Sequence, residues 1–346
     1  MRIDIERLIH SLKAAIACSF AFLLSKIVGL AADPWIVVTV IVVMCAQIYG
    51  GSVVQKSYLR FLGTLIGCLL ATTTLLIAGD SFLTIFLAIA FAAFLFSYLA
   101  TSGESLSYTG TLGAVTTVVI LMVPHPTPLL ASQRFLEISI GILIATLTSQ
   151  FILPIHARTH LRRAQAKTLE QLRDFYSATM VTHSITTHTD YLELDQSIIT
   201  ALVRQQQLAK ESIHELFGEK FNAEHVMLTL YCEREMLRAV SFMHHALAHI
   251  HHAETSLAHL PVLEAFNKTT LNSLETLIAV IKSPAAPKEH IHIPNVNALR
   301  EAILKSVEQG SEEQSIYADG FLFSAKIFTD ALGKLAGLYG VMSYNG

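Results

Sequence analysis

Residues 61–100 read FLGTLIGCLLATTTLLIAGDSFLTIFLAIAFAAFLFSYLA, and Asp80 is the single charge in the stretch. A helix needs about 20 mostly apolar residues to cross a hydrocarbon core. Two such lengths lie here, Phe61–Gly79 and Ser81–Ala100, on either side of Asp80. Working outward, the charge-poor intervals continue in both directions. Ser11–Leu30 and Trp35–Tyr49 precede them, and Thr109–Val123 and Phe135–Leu153 follow. Pro124-His125-Pro126-Thr127-Pro128 cannot continue a helix and separates the last two, while Pro154 closes the sixth. The reading is a six-span transmembrane domain over residues 1–155. Lys26, near the end of the first span, is long enough to snorkel to the headgroups.

Charge distribution separates this portion from the rest. Up to residue 155 the basic residues are Arg2, Arg7, Lys13, Lys26, Lys56, Arg60 and Arg134, and the acidic ones Asp4, Glu6, Asp33, Asp80, Glu104 and Glu137. The remainder carries most of the charge and all histidines but His10 and His125. A front half this poor in charge cannot supply a water-facing surface, so it is not the core of a soluble protein. The mean hydropathy of +0.50 with 15% charged residues agrees. Net charge is −3, and no basic patch suggests nucleic acid. Cys18, Cys45, Cys68 and Cys232 lie far apart without ligand spacing, which argues against a disulfide framework. The first span resembles a signal peptide in outline. Asp4 and Glu6 in the leader and Lys26 before any cleavage site favour a retained helix instead.

Orientation is expected from the positive-inside bias. With the N-terminus inside, Arg2, Arg7, Lys13, Lys56, Arg60, Arg158, Arg162, Arg163 and Lys167 fall on cytoplasmic flanks, against Lys26 and Arg134 outside. Six crossings return the chain to the cytoplasm. Residues 156–346 then form a helical cytoplasmic domain. Leu161, Ala164, Leu169, Leu172, Phe175 and Tyr176 recur at helical spacing. Further helices are expected over Tyr191–Phe217, Ala223–His252, Pro261–Ile281, Asn295–Val307 and Gln314–Tyr339. The fold class is therefore all-α: a six-helix transmembrane bundle followed by a helical bundle.

No nucleotide loop, metalloprotease motif, nucleophile elbow or dinucleotide fingerprint occurs, so no catalytic residue and no cofactor is assigned. His245, His249 and His252 lie at i, i+4 and i+7, a spacing able to hold a metal. No cysteine or carboxylate completes a tetrahedral set, and no metal site is assigned.

Candidate path residues are Gln47, Lys56 and Arg60 on one side and Arg134 and Glu137 on the other. Lys56 and Arg60 could draw an anion toward a cytoplasmic entrance, or Arg60 could serve only as an anchor at the membrane surface. Arg134 and Glu137, at i, i+3, could contact an anion and carry a proton, or simply pair with each other. Gly63, Gly67, Gly110, Gly113 and Gly141 read as helix contacts, the first two as a GxxxG step. Thr72–Thr74, Thr111, Thr116 and Thr117 can bond their own helix backbone or line a wet cavity.

Arg60-x-x-Gly63-Thr64-x-x-Gly67, after a Trp-led and Val-rich span, resembles the FUSC family, the fusaric-acid-resistance and aromatic-acid-exporter group of bacterial inner-membrane proteins. Plant aluminium-activated malate channels are distantly similar in plan. The resemblance covers about residues 10–155 and is architectural beyond. It implies a multi-pass inner-membrane protein that exports aromatic or other organic acid anions. Many members hold two modules, so a single-module chain implies a homodimer. The alternative is a non-transporting membrane protein whose helical half docks a partner or senses a ligand.

Overall fold

The computed structural model describes residues 5–29, 34–45, 47–182, 185, 188–217, 221–250, 260–283, 290–307, 312–341 and 343–345. Among these the class is all-α. The helices are α1 (Ile5–Ile27), α2 (Trp35–Met44), α3 (Gly50–Ala78), α4 (Phe82–Thr101), α5 (Glu104–Leu121), α6 (Pro128–Phe151), α7 (Ala157–Met180), α8 (His188–Ile213), α9 (Ala223–Ile250), α10 (Pro261–Lys282), α11 (Val296–Val307) and α12 (Glu312–Leu338). Two three-residue strands, β1 (Ile291–Ile293) and β2 (Ser343–Asn345), pair in parallel, an element too short to show a sequence alternation. Two compact units result. One is Met1–Ala157 with Glu211–Glu219, and the other Arg158–Lys210 with Lys220–Gly346.

The first unit wears its polarity inside out. On α1 the exposed large apolar residues are Ile5, Leu8, Leu12, Ile16, Phe20, Phe22, Leu23 and Ile27, while His10, Lys13, Ala17, Ala21 and Ser25 are buried. Helix α4 buries only Ala92 and Phe96 and exposes Phe82, Leu83, Phe86, Leu87, Phe91 and Phe94. Helix α6 exposes Leu129, Leu136, Leu143 and Leu147 and buries Arg134, Glu137, Thr148, Ser149 and Gln150. In water each exposed stripe would cost about 25 cal/mol per Å² of apolar surface. In hydrocarbon it is the matched face. Four helices, α1, α3, α4 and α6, are long and apolar enough to cross a membrane. Two further apolar helices, Trp35–Met44 and Leu106–Leu121, are shorter.

Helix boundaries differ from the charge-free intervals in one place that bears on function. Helix α2 stops at Met44, and α3 starts at Gly50 rather than Phe61. Lys56 and Arg60 are therefore helical, not part of a connecting loop. A charge marks a span boundary only when it is at the membrane surface; a charge that packs against neighbouring helices leaves the helix uninterrupted. Lys13, Arg60 and Arg134 are buried (1%, 4% and 8% exposed), so these three do not lie on exposed flanks as the charge pattern suggested.

Small residues let the helices of this unit approach closely. A Cβ on Gly63 would lie 2.6 Å from the Thr109 carbonyl of α5, and one on Gly67 2.6 Å from that of Gly113. A Cβ on Gly141 of α6 would meet the Ile36 carbonyl of α2 at 2.7 Å, and one on Gly110 the Phe96 carbonyl of α4 at the same distance. Gly113 lies against the Phe96 ring. The Thr117 hydroxyl bonds the Gly67 carbonyl at 3.2 Å, tying α5 to α3 across the glycine step.

In the second unit, Leu161, Leu169, Leu172, Phe175 and Tyr176 line the buried face of α7. Tyr176 stacks toward Phe328 and donates to Asn267 at 2.7 Å. Across this core runs a polar chain. The Gln205 amide of α8 donates to Thr168 of α7 at 2.6 Å and to Glu233 of α9 at 2.8 Å. Glu233 is fully buried, and burial pushes its carboxyl well above the usual carboxylate range.

Two expectations follow. Gly67→Val should overpack the α3–α5 crossing by about 1–3 kcal/mol, seen as a lower melting temperature in detergent, while Gly337→Ala, at a position with open space, should not. Glu233 holds its proton more tightly folded than unfolded, so folding stability should fall as pH rises above about 4.3 toward its folded pKa, by up to about 1.4 kcal/mol per pH unit. Glu233→Gln should flatten that slope; pH-dependent melting of the two proteins between about pH 5 and 8 checks it.

Candidate functional site

Four helices, α2, α3, α5 and α6, bring polar or charged groups to one region of the first unit's interior. Lys56, Arg60 and Thr64 lie at i, i+4 and i+8 on α3 and so share a face. Arg60 donates through Nη2 to Thr39 Oγ1 of α2 at 3.2 Å. Among the described residues its Nε and the Thr64 hydroxyl make no hydrogen bond, and the Tyr108 hydroxyl of α5 lies beside the guanidinium. The Lys56 ammonium sits 5.2 Å from the centre of the Tyr108 ring. From α6, Arg134 pairs with Glu137 at 2.9 Å and lies over the Trp35 indole, 5.3 Å from its centroid.

Three of these residues, Arg60, Arg134 and Trp35, line a cavity of about 20 Å³ together with Thr116, Leu112, Val115, Val119, Ile120 and Ile138. Two guanidinium groups thus face one small space with a mostly apolar wall. The charge is not cancelled locally. Glu137 balances Arg134, whereas Arg60 has no carboxylate partner among the described residues. The other buried carboxylate of this unit, Glu215, is engaged elsewhere, accepting from the Ala157 backbone N–H. A buried guanidinium without a counter-ion is costly in a medium that cannot hydrate it. A bound monoanion would remove that cost. The site is suited to holding and releasing an anion; it shows no nucleophile paired with a base.

Gln47 follows α2 with its N–H on the Met44 carbonyl and does not line the cavity. Lys56 adjoins the site through Tyr108, and Glu137 through Arg134. The threonines divide. Thr73, Thr74, Thr111 and Thr116 bond carbonyls of their own helices, and Thr116 also lines the cavity. Trp35, Thr39 and Tyr108 were not among the path residues expected from sequence. Only Trp35 carried a signal, as an interfacial aromatic. In the second unit, the His249 ring bonds the His245 carbonyl and stacks on Tyr317 at 4.4 Å, and no group of metal-ligand spacing occurs among the described residues. His252 lies outside the described residues. All four cysteines are free thiols.

The sequence profile described as the fusaric acid resistance protein family matches residues 7–336. The chain belongs to this family. It is also similar to the inner membrane protein YeeA of Escherichia coli (strain K12), 28% identical over 172 residues, which is 50% of this chain and 48% of that one. The chain thus spans about half the length of the curated relative it matches. Family membership and the apolar exterior identify a membrane protein. The family match runs through both units, well beyond the residues on which the resemblance rested.

Because Arg134 and Glu137 are buried as a pair, removing one should cost more than removing both. Arg134→Met should destabilise by about 3–5 kcal/mol, and the Arg134→Met/Glu137→Met double variant by clearly less. Melting temperatures in detergent would show the coupling; equal losses in the two proteins would mean that none exists.

Proposed function

We propose that the first unit forms a transmembrane path for organic anions and works as an exporter in the bacterial inner membrane. The reading is carried by one observation: Arg60 and Arg134, from different helices, line the same cavity inside a unit whose outer surface is apolar. Arg60 supplies the unbalanced positive charge, and a monoanion neutralises it. The walls formed by Leu112, Val115, Val119, Ile120 and Ile138 favour an anion with an apolar body over a strongly hydrated one. An aromatic carboxylate has that form. Fusaric acid, in the description of the family, is an aromatic carboxylic acid.

A cavity of about 20 Å³ holds about one water, so passage requires this constriction to widen. Protonation of Glu137 would break its pairing with Arg134 and give the anion a second guanidinium, which couples anion movement to proton movement. In this scheme the chain through α5 and through the ten-residue α2, which by itself covers only about 15 Å, makes two further crossings beside the four long helices. Both termini then share the cytoplasmic side, where Arg158, Arg162, Arg163 and Lys167 open the second unit. The homodimer brings two such modules together.

The test is efflux of benzoate from proteoliposomes, with uncharged benzamide as the control for leakage. Arg60→Gln should lower benzoate flux tenfold or more, Arg60→Lys less, and Lys56→Gln modestly. Benzoate flux that is undiminished after both Lys56 and Arg60 become Gln would refute the role given to them.

A further inference from the structure

A second pair of buried polar side chains lies away from the cavity, on the inner face of α1. That face runs His10, Lys13, Ala17, Ala21, Ser25, and its first two members break a row of small residues. Lys13 is 1% exposed and His10 8%. The Lys13 ammonium donates to the Ser149 carbonyl, in the last turn of α6, at 3.3 Å, and meets no carboxylate among the described residues. Among the described residues neither ring nitrogen of His10 makes a hydrogen bond of normal geometry, and its one approach is to the backbone at Met44. The two lie at i, i+3 and therefore point the same way. His10 also faces the backbone at Met44, where α2 ends.

Capping the end of α6 accounts for one of the three ammonium protons, and the approach to Met44 for at most one nitrogen of His10. A lysine that only caps a helix can do so from the surface, with its charge in water. Here the charge is enclosed beside an imidazole with at least one nitrogen left to bond. We infer that His10 and Lys13 bind a monovalent anion, either a halide or the carboxylate of an organic acid, which accepts from the Lys13 ammonium and from an imidazole N–H. One such ligand satisfies both side chains and neutralises the buried charge. The site is distinct from the arginine cavity. Arg60 is tied to Thr39 of α2, and His10 faces Met44, about 7 Å further along the same helix. Its role as a second station on a path rests on the transport reading; anion binding itself does not.

The experiment uses the full-length Arg60→Gln protein in detergent, so that the arginine cavity contributes little. Ionic strength is held with sodium gluconate, and the melting temperature is followed against sodium benzoate and, separately, sodium bromide. A saturable rise with either anion is expected, benzoate marking a carboxylate site and bromide a halide site. Adding His10→Gln or Lys13→Gln should raise the half-saturating concentration tenfold or more, and Lys13→Arg should leave it within about threefold. If Lys13→Gln does not fold, His10→Gln decides. No saturable response to either anion, or one that survives both substitutions, overturns the inference. Wild-type protein that binds in this way but carries no benzoate flux would remove the transport reading and leave the site.

Discussion

Burial of cationic side chains under an apolar exterior is the constraint from which the first unit follows. A soluble helix places its charges toward solvent, and the hydrophobic effect holds the opposite face inside. Helix α1 does the reverse, with leucine, isoleucine and phenylalanine outward and His10 and Lys13 inward. That arrangement is stable only where the surroundings are hydrocarbon and the interior offers the polar contacts that the surroundings cannot. Packing must therefore do what water-driven burial does elsewhere. The close crossings at Gly63, Gly67, Gly110 and Gly141 bring backbones near enough for hydroxyl-to-carbonyl bonds between helices, such as Thr117 to Gly67 and Thr109 to Leu59.

Charge inside such a unit is never neutral in its consequences. Of the described buried charges, Arg134 and Glu137 compensate each other, and Glu215 holds a backbone N–H. Arg60 is left with the hydroxyls of Thr39 and Tyr108 and Lys13 with a backbone carbonyl, groups that stabilise a cation only in part. An interior with excess positive charge is better matched to an anion than to a cation or a neutral solute. In the proposed reading the same excess links stability and ligand affinity: the compensation that the protein's own groups leave missing is what a bound anion would supply.

The helical class and the apolar character of the first half were legible because they depend on long, uniform patterns. Helix α4 has no charged residue and was placed to within a residue at each end. So were α9, α10 and α12 to within about two, where an apolar stripe is bounded by proline, glycine or a polar run. What was not legible turned on which face a charge occupies. Arg60 looked like the end of a loop because sequence shows a charge without showing its neighbours. Its burial depends on Thr39, some twenty residues earlier, and on Tyr108, some fifty later. Had Lys56, Arg60 and Thr64 been read as an i, i+4 series, their shared face would have been visible, though not the helix they meet. Gln205 and Glu233 escaped for the same reason, since each reads as an ordinary surface residue in a polar helix.

The two arginines of the cavity are held in unlike ways, and the difference gives the site a direction of response. Arg134 is fixed by a carboxylate three residues on and by the indole of Trp35, so its geometry is set largely by its own helix turn and the start of α2. Arg60 is fixed by one neutral hydroxyl on α2 and keeps an unused donor at Nε. An incoming anion competes with a strong partner at Arg134 and with a weak one at Arg60. In the proposed path the first contact would therefore fall to Arg60, and Arg134 would be engaged only when Glu137 is neutralised or displaced. An ion pair next to an unpaired cation thus forms a graded site rather than a symmetric clamp, and that grading allows an anion to be held without being trapped.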